Sequence, residues 1–117
     1  MNQLKKIFLA VLILGSLAFS TFHHGWANYN QNKVLDYTGV IQEFTFENPH
    51  ATAKLKYKGK TWLTILAPTS RMEARNVPID KLKKGNTLRV VGYPHKKIKN
   101  EMRIERIFIG TDKYELR

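Results

Sequence analysis

Phe44-Thr45-Phe46-Glu47-Asn48-Pro49-His50-Ala51 is the stretch on which the fold turns. Val40, Phe44 and Phe46 are apolar before the corner, and Ala51, Ala53 and Leu55 are apolar after it. Between them stand turn residues: Asn folds its side chain onto nearby backbone, while Pro fixes φ and brings no amide hydrogen to a ladder. A strand therefore arrives, reverses at Asn48-Pro49, and leaves with His50 as its first residue. Gly92-Tyr93-Pro94-His95 repeats the signature after the apolar run Leu88–Val91, so two of the four histidines stand at X-Pro-His corners.

Working outward, a long first strand is predicted over Val34–Phe46, with a bend or bulge at Gly39. Alternation predicts a second strand from His50 to Tyr57, a tight turn at Lys58-Gly59-Lys60, and a third strand over Thr61–Ala67. Ser70-Arg71-Met72-Glu73-Ala74-Arg75 reads as a short helix capped by Thr69 or Ser70, with Glu73 in the capping-box position of a Ser70 cap. Pro78–Leu82 reads as a further helical turn. A fourth strand follows over Thr87–Tyr93, then a basic loop from Lys96 to Asn100, then a fifth strand over Met102–Ile109. The apolar positions of that strand slip phase between Ile104 and Ile107, which predicts a bulge. Thr111-Asp112 allows a last turn into Tyr114–Leu116. This order gives an all-β fold with one short helix, a small OB-fold-like five-stranded barrel over residues 34–117. The alternative is an open split sheet covered by the helix. Residues 21–33 show no period and read as an extended arm pinned by Trp26 and Tyr29.

Residues 1–20 read as a secretory signal peptide: Lys5 and Lys6, the apolar run Ile7–Phe19, then the small residues Ala18 and Ser20. A membrane span is the competing reading, but this run falls short of the ~20 residues needed to cross a bilayer. A periplasmic or secreted protein follows, with no transmembrane helix in its mature chain. The absence of cysteine excludes disulfides, thiolate metal sites and lipid attachment through a thioether. Discounting Lys5 and Lys6 lowers the formal charge of +11 by two and leaves a basic domain suited to acidic partners.

In an OB-fold the loop between strands one and two and the loop between strands four and five flank one face. The topology therefore directs His50 and His95 toward a common region. Neutral imidazole is a favoured metal ligand. Cleavage after Ser20 would leave Thr21-Phe22-His23, whose amine, amides and third-position imidazole suit square-planar Cu(II) or Ni(II). His23, His24, His50 and His95 are thus candidate metal ligands, with copper favoured. Trp26, Asn48, Arg71, Met72, Arg75, Tyr93, Met102 and Arg103 are candidate ligand-binding residues around them. The bland alternative is that each corner histidine only hydrogen-bonds its own turn.

His23-His24-Gly25-Trp26, Glu47-Asn48-Pro49-His50-Ala51, Ala67-Pro68 with Ser70–Arg75, Gly92-Tyr93-Pro94-His95, and Asn100-Glu101-Met102-Arg103 with Glu105-Arg106-Ile107 together resemble a family of small exported proteobacterial proteins catalogued as a domain of unknown function. The resemblance covers the mature chain in order and implies export and a small barrel, but no activity. Phe22 departs from the small residue expected before the His-His pair.

No Ser-His-Asp set and no phosphate-binding glycine loop occur, and a binding protein rather than an enzyme is expected. The runner-up function is a basic interaction module for an acidic envelope protein, lipid phosphates or nucleic acid. For nucleic acid it would use Phe46, Tyr57, Trp62 and Tyr93 as stacking platforms, which the export signal disfavours.

Overall fold

The structure, a computed structural model, describes residues 25–117. The signal-peptide expectation and the placement of His23 and His24 lie outside those residues. Six strands follow: β1 Leu35–Thr45, β2 Thr52–Tyr57, β3 Lys60–Ile65, β4 Thr87–Pro94, β5 Glu101–Ile109 and β6 Asp112–Glu115. One helix, α1 Thr69–Ala74, lies between β3 and β4, and single 3-10 turns occupy Trp26–Asn28 and Ile79–Lys81.

The sheet order is β3-β2-β1-β4-β5-β6. A parallel pairing of β3 Leu63–Ile65 with β5 Glu101–Arg103 closes the first five strands into a barrel. This is the expected OB-fold-like plan, in which β1 serves two neighbours. Its first half, Leu35–Val40, pairs with β4, and its second half, Val40–Thr45, pairs with β2. The register shifts between Ile41 and Glu43, so the irregularity falls at Gln42 rather than at Gly39. The glycine has another role: a Cβ there would stand 3.0 Å from the Leu55 Cβ, where β1 crosses β2.

Alternation decides the interior. Ile41 on β1, Ala53 and Leu55 on β2, Leu88 and Val90 on β4, and Met102, Ile104 and Ile107 on β5 are buried in one core. Each large aliphatic there contributes roughly 1.5–3 kcal/mol of transfer free energy. Tyr57 and Trp62 turn inward with them. Tyr37 stacks on Tyr57 at 4.3 Å, and its ring lies 6.1 Å from that of Trp62. The predicted bulge in β5 is present: Val91 pairs with Arg106 and Gly92 with Ile104, leaving Glu105 extra.

Three local expectations change. His50 and Ala51 precede β2 instead of opening it; Ala51 exchanges backbone bonds with Leu66 and Ala67. Pro68, not Thr69 or Ser70, stands at the N-cap of α1, and no side chain of its own caps that end. Residues 112–115 form β6 by pairing with Arg106–Ile109, where only a turn was expected.

Candidate functional site

Two groups of side chains gather where the arm lies against β4 and β5, and the backbone fixes both. The Asn30 amide donates to the Pro94 carbonyl at 2.8 Å, and the Lys96 amide donates to the Asn28 carbonyl at 2.9 Å. A bridge pairs Tyr29 with His95. The arm thus extends the sheet beyond the end of β4. It covers the outer side of β5, where Met102 and Ile104 face the core. Glu101 and Arg103, which alternate with them, would face solvent, yet they are only 5% and 4% exposed.

The first group is Tyr29, His95 and Glu101. The Tyr29 hydroxyl donates to Glu101 Oε2 at 2.8 Å, and the His95 ring stands edge-on to Tyr29 at 5.0 Å. Burial, and then the bond to Glu101, raise the Tyr29 phenol well above the ordinary tyrosine range. His95 Nδ1 accepts the amide hydrogens of Lys97 and Ile98 at 3.0 and 2.9 Å. Its Nε2 lies 3.9 Å from Glu101 Oε2. An Nδ1 that accepts two bonds carries no proton, so His95 here is the Nε2–H tautomer and folds the basic loop around itself.

The second group centres on Trp26. The guanidinium carbons of Arg103 and Arg117 lie 4.7 and 4.1 Å from its ring centroid, and Tyr93 meets it edge-on at 6.2 Å. Arg71 approaches from α1 and donates to the Leu116 carbonyl at 3.2 Å. Burial first, and after it the charges of Arg71 and Arg117, push the Arg103 guanidinium down from its ordinary value, opposed by Tyr29. Tyr93 donates to Glu105 Oε2 at 2.8 Å; Arg106 and Arg117 approach the same carboxylate at 3.5 and 3.7 Å. Beside α1, Pro68, Ser70, Arg71, Ala74 and Arg75 line a shallow depression of about 420 Å³.

Of the sequence-predicted residues, the structure brings together Trp26, Tyr93, Arg71 and Arg103, and separately sets His95 beside Tyr29 and Glu101. Arg75 is exposed at the C-cap of α1, and His50 is half-buried in the corner between β1 and β2. Met72 and Met102 are fully buried in the core, the latter accepting from the Tyr37 hydroxyl at 3.2 Å. Asn48 faces α1: its Oδ1 accepts from the Thr69 amide at 3.3 Å and from the Thr69 hydroxyl at 3.0 Å. Among the described residues, no group of three or more histidines and carboxylates is arranged to hold a metal ion. Nor is any helix among them long and apolar enough to cross a membrane. Sequence reasoning missed Arg117 and the burial of Glu101. A charged residue beside the alternating Met102 and Ile104 was the available hint for the second, and no local signal marked the first.

No curated protein matches the chain. Among solved structures, one described as a crystal structure of TiaS in complex with an isoleucine tRNA and ATP matches with a TM-score of 0.51 and 23% identity over 69% of this chain. The match spans 19% of that chain's length, and at this identity it shows a shared fold alone. A family model matches residues 11–102, so the chain belongs to a family of unknown function, DUF6152.

Proposed function

We propose that the protein is an exported basic binding module that docks on an anionic envelope surface through phosphate-bearing lipid headgroups. The placement of lysines and aromatics carries this reading. Lys54 and Lys56 are exposed on β2 between the core residues Ala53, Leu55 and Tyr57, and Lys58 and Lys60 flank the following turn. Lys96, Lys97 and Lys99 are exposed on the loop between β4 and β5. The Leu63 amide donates to the Asn100 carbonyl at 2.9 Å and joins that loop to β3. Among the described residues the carboxylate paired with these lysines is Glu43, 3.1 Å from Lys54. Lysines act as solvated point charges, suited to a diffuse anionic surface rather than to bidentate readout. Single-strand binding relies on aromatic platforms in the groove, whereas Tyr57 and Trp62 pack against Tyr37.

Co-sedimentation with anionic and zwitterionic vesicles at rising salt tests this. The anionic vesicles should be bound, with affinity falling as salt rises. Replacing Lys96, Lys97 and Lys99 together by Gln should weaken binding at least tenfold, from about 1 kcal/mol per lysine near such a surface. Preference for single-stranded DNA over vesicles would assign the surface to nucleic acid instead.

A second reading, a copper site on the arm, draws on the docking of Trp26. The candidate ligands are His23 and His24, with His50 and His95 as further candidates. Titration of the mature, untagged protein with Cu(II), Ni(II) and Zn(II), with its N-terminal mass determined, tests the site. Bound copper that survives replacement of both arm histidines by Ala would remove it.

A further inference from the structure

We propose that the depression beside α1 is an oxyanion site, in which a phosphate-type group is held between the guanidinium groups of Arg71 and Arg75 with the Ser70 hydroxyl at its wall. The site stands on residues other than the lysine surface and holds whether or not vesicles are bound.

Arg71 and Arg75 are one helical turn apart, so both reach the same side of α1, where Ser70, Ala74 and Pro68 complete the lining. Like charges at this spacing oppose each other, and among the described residues neither arginine is paired with a carboxylate. Glu73 lies between them in sequence, two positions from each, which turns it to another side of the helix. Arg71 is held in place by its bond to the Leu116 carbonyl, which leaves most of its five N–H donors for a ligand. Behind it stand Arg103 and Arg117, stacked on Trp26, and the charge of Arg71 is felt at Arg103.

The carboxylates of β5 and β6 are already engaged. Glu101 accepts from Tyr29, Glu105 is shared by Tyr93, Arg106 and Arg117, and Glu115 is shared by Arg106 and Lys113. The positive charge at the depression is thus open to an anion from outside. Two guanidinium forks and a hydroxyl match the oxygens of a phosphate better than those of a single carboxylate. Small side chains at Pro68 and Ala74 leave room for it. The same chemistry occurs in a free phosphate and in a phosphomonoester headgroup.

The test follows the arginine side-chain N–H signals of the full mature chain by nuclear magnetic resonance. Inorganic phosphate is added at constant ionic strength against chloride. The Arg71 and Arg75 signals should shift and saturate with phosphate and not with chloride. Arg75→Gln should weaken binding roughly tenfold, the scale of a lost charge-assisted hydrogen bond. Arg75 is exposed at the end of the helix, so this variant keeps its fold, which its melting temperature verifies. The Arg71→Gln, Arg75→Gln double variant should bind no phosphate.

Vesicles containing phosphatidate form the second arm. Saturation by free phosphate assigns a soluble ligand. A response to vesicles alone, lost in Arg75→Gln, assigns the headgroup. The Lys96, Lys97 and Lys99 triple variant should leave the phosphate titration unchanged, which separates this site from the lysine surface. Absence of a saturable response to either probe, an unchanged affinity in Arg75→Gln, or loss of phosphate binding in the lysine variant would overturn the site.

Discussion

Asn48 connects the corner after β1 to a helix 21 residues further along. The first amide of α1 has no carbonyl within the helix to receive it, and the Asn48 side chain supplies the acceptor from another part of the chain. Asn48→Ala should lower stability by about 1 kcal/mol, the usual cost of a lost cap, while Asn48→Asp should retain most of it. Urea denaturation of the two variants gives the comparison. The corner itself was legible, because Asn-Pro is local turn chemistry. Its partner was not, because nothing local in the sequence joins Asn48 to Thr69.

Tyr29 allows a pH prediction at the same scale. Its folded pKa is raised, so its contribution to stability is present below the unfolded phenol value and is lost as pH rises toward the folded one. Alkaline titration followed by phenolate absorbance should show Tyr29 ionising only as the arm lifts from β5, and Tyr37 only as the barrel opens. Tyr29→Phe should remove one of those late phenols and cost about 1–3 kcal/mol by leaving the buried Glu101 without its hydroxyl donor.

At the scale of elements, the arm is an added layer rather than a linker. Its attachment depends on Trp26 lying over two guanidinium groups and on Tyr29 reaching Glu101. Trp26→Ala should release the segment while the barrel stays folded. Hydrogen exchange would show this as faster exchange of the Asn30 and Lys96 amides, with those of β1 and β2 unchanged. The strands were legible because their apolar residues alternate, and the β5 bulge because that alternation slips. β6 escaped the reading because Asp112-Lys113-Tyr114-Glu115 is a short polar edge whose pairing depends on β5. The docked arm was half legible: its aromatic residues marked it as pinned, but the arginines beneath come from β5 and from the chain's last residue.

For the whole molecule, closure depends on close backbone approach. A Cβ at Gly92 would stand 2.1 Å from the Arg103 carbonyl oxygen, so β4 and β5 meet there only because no side chain intervenes. Gly92→Ala should cost about 3 kcal/mol or more and open the barrel between these strands, visible as a lowered melting temperature with faster exchange in β5. The order strand, strand, strand, helix, strand, strand pointed to closure, but the β3–β5 pairing that achieves it leaves no mark in either strand alone.

Leu116 is fully buried in the core; its amide donates to the Glu105 carbonyl, and its own carbonyl receives Arg71. The segment after β6 is therefore a structural member of the barrel: one residue outside every strand fills the interior with its side chain, holds β5 by its amide and anchors α1 by its carbonyl.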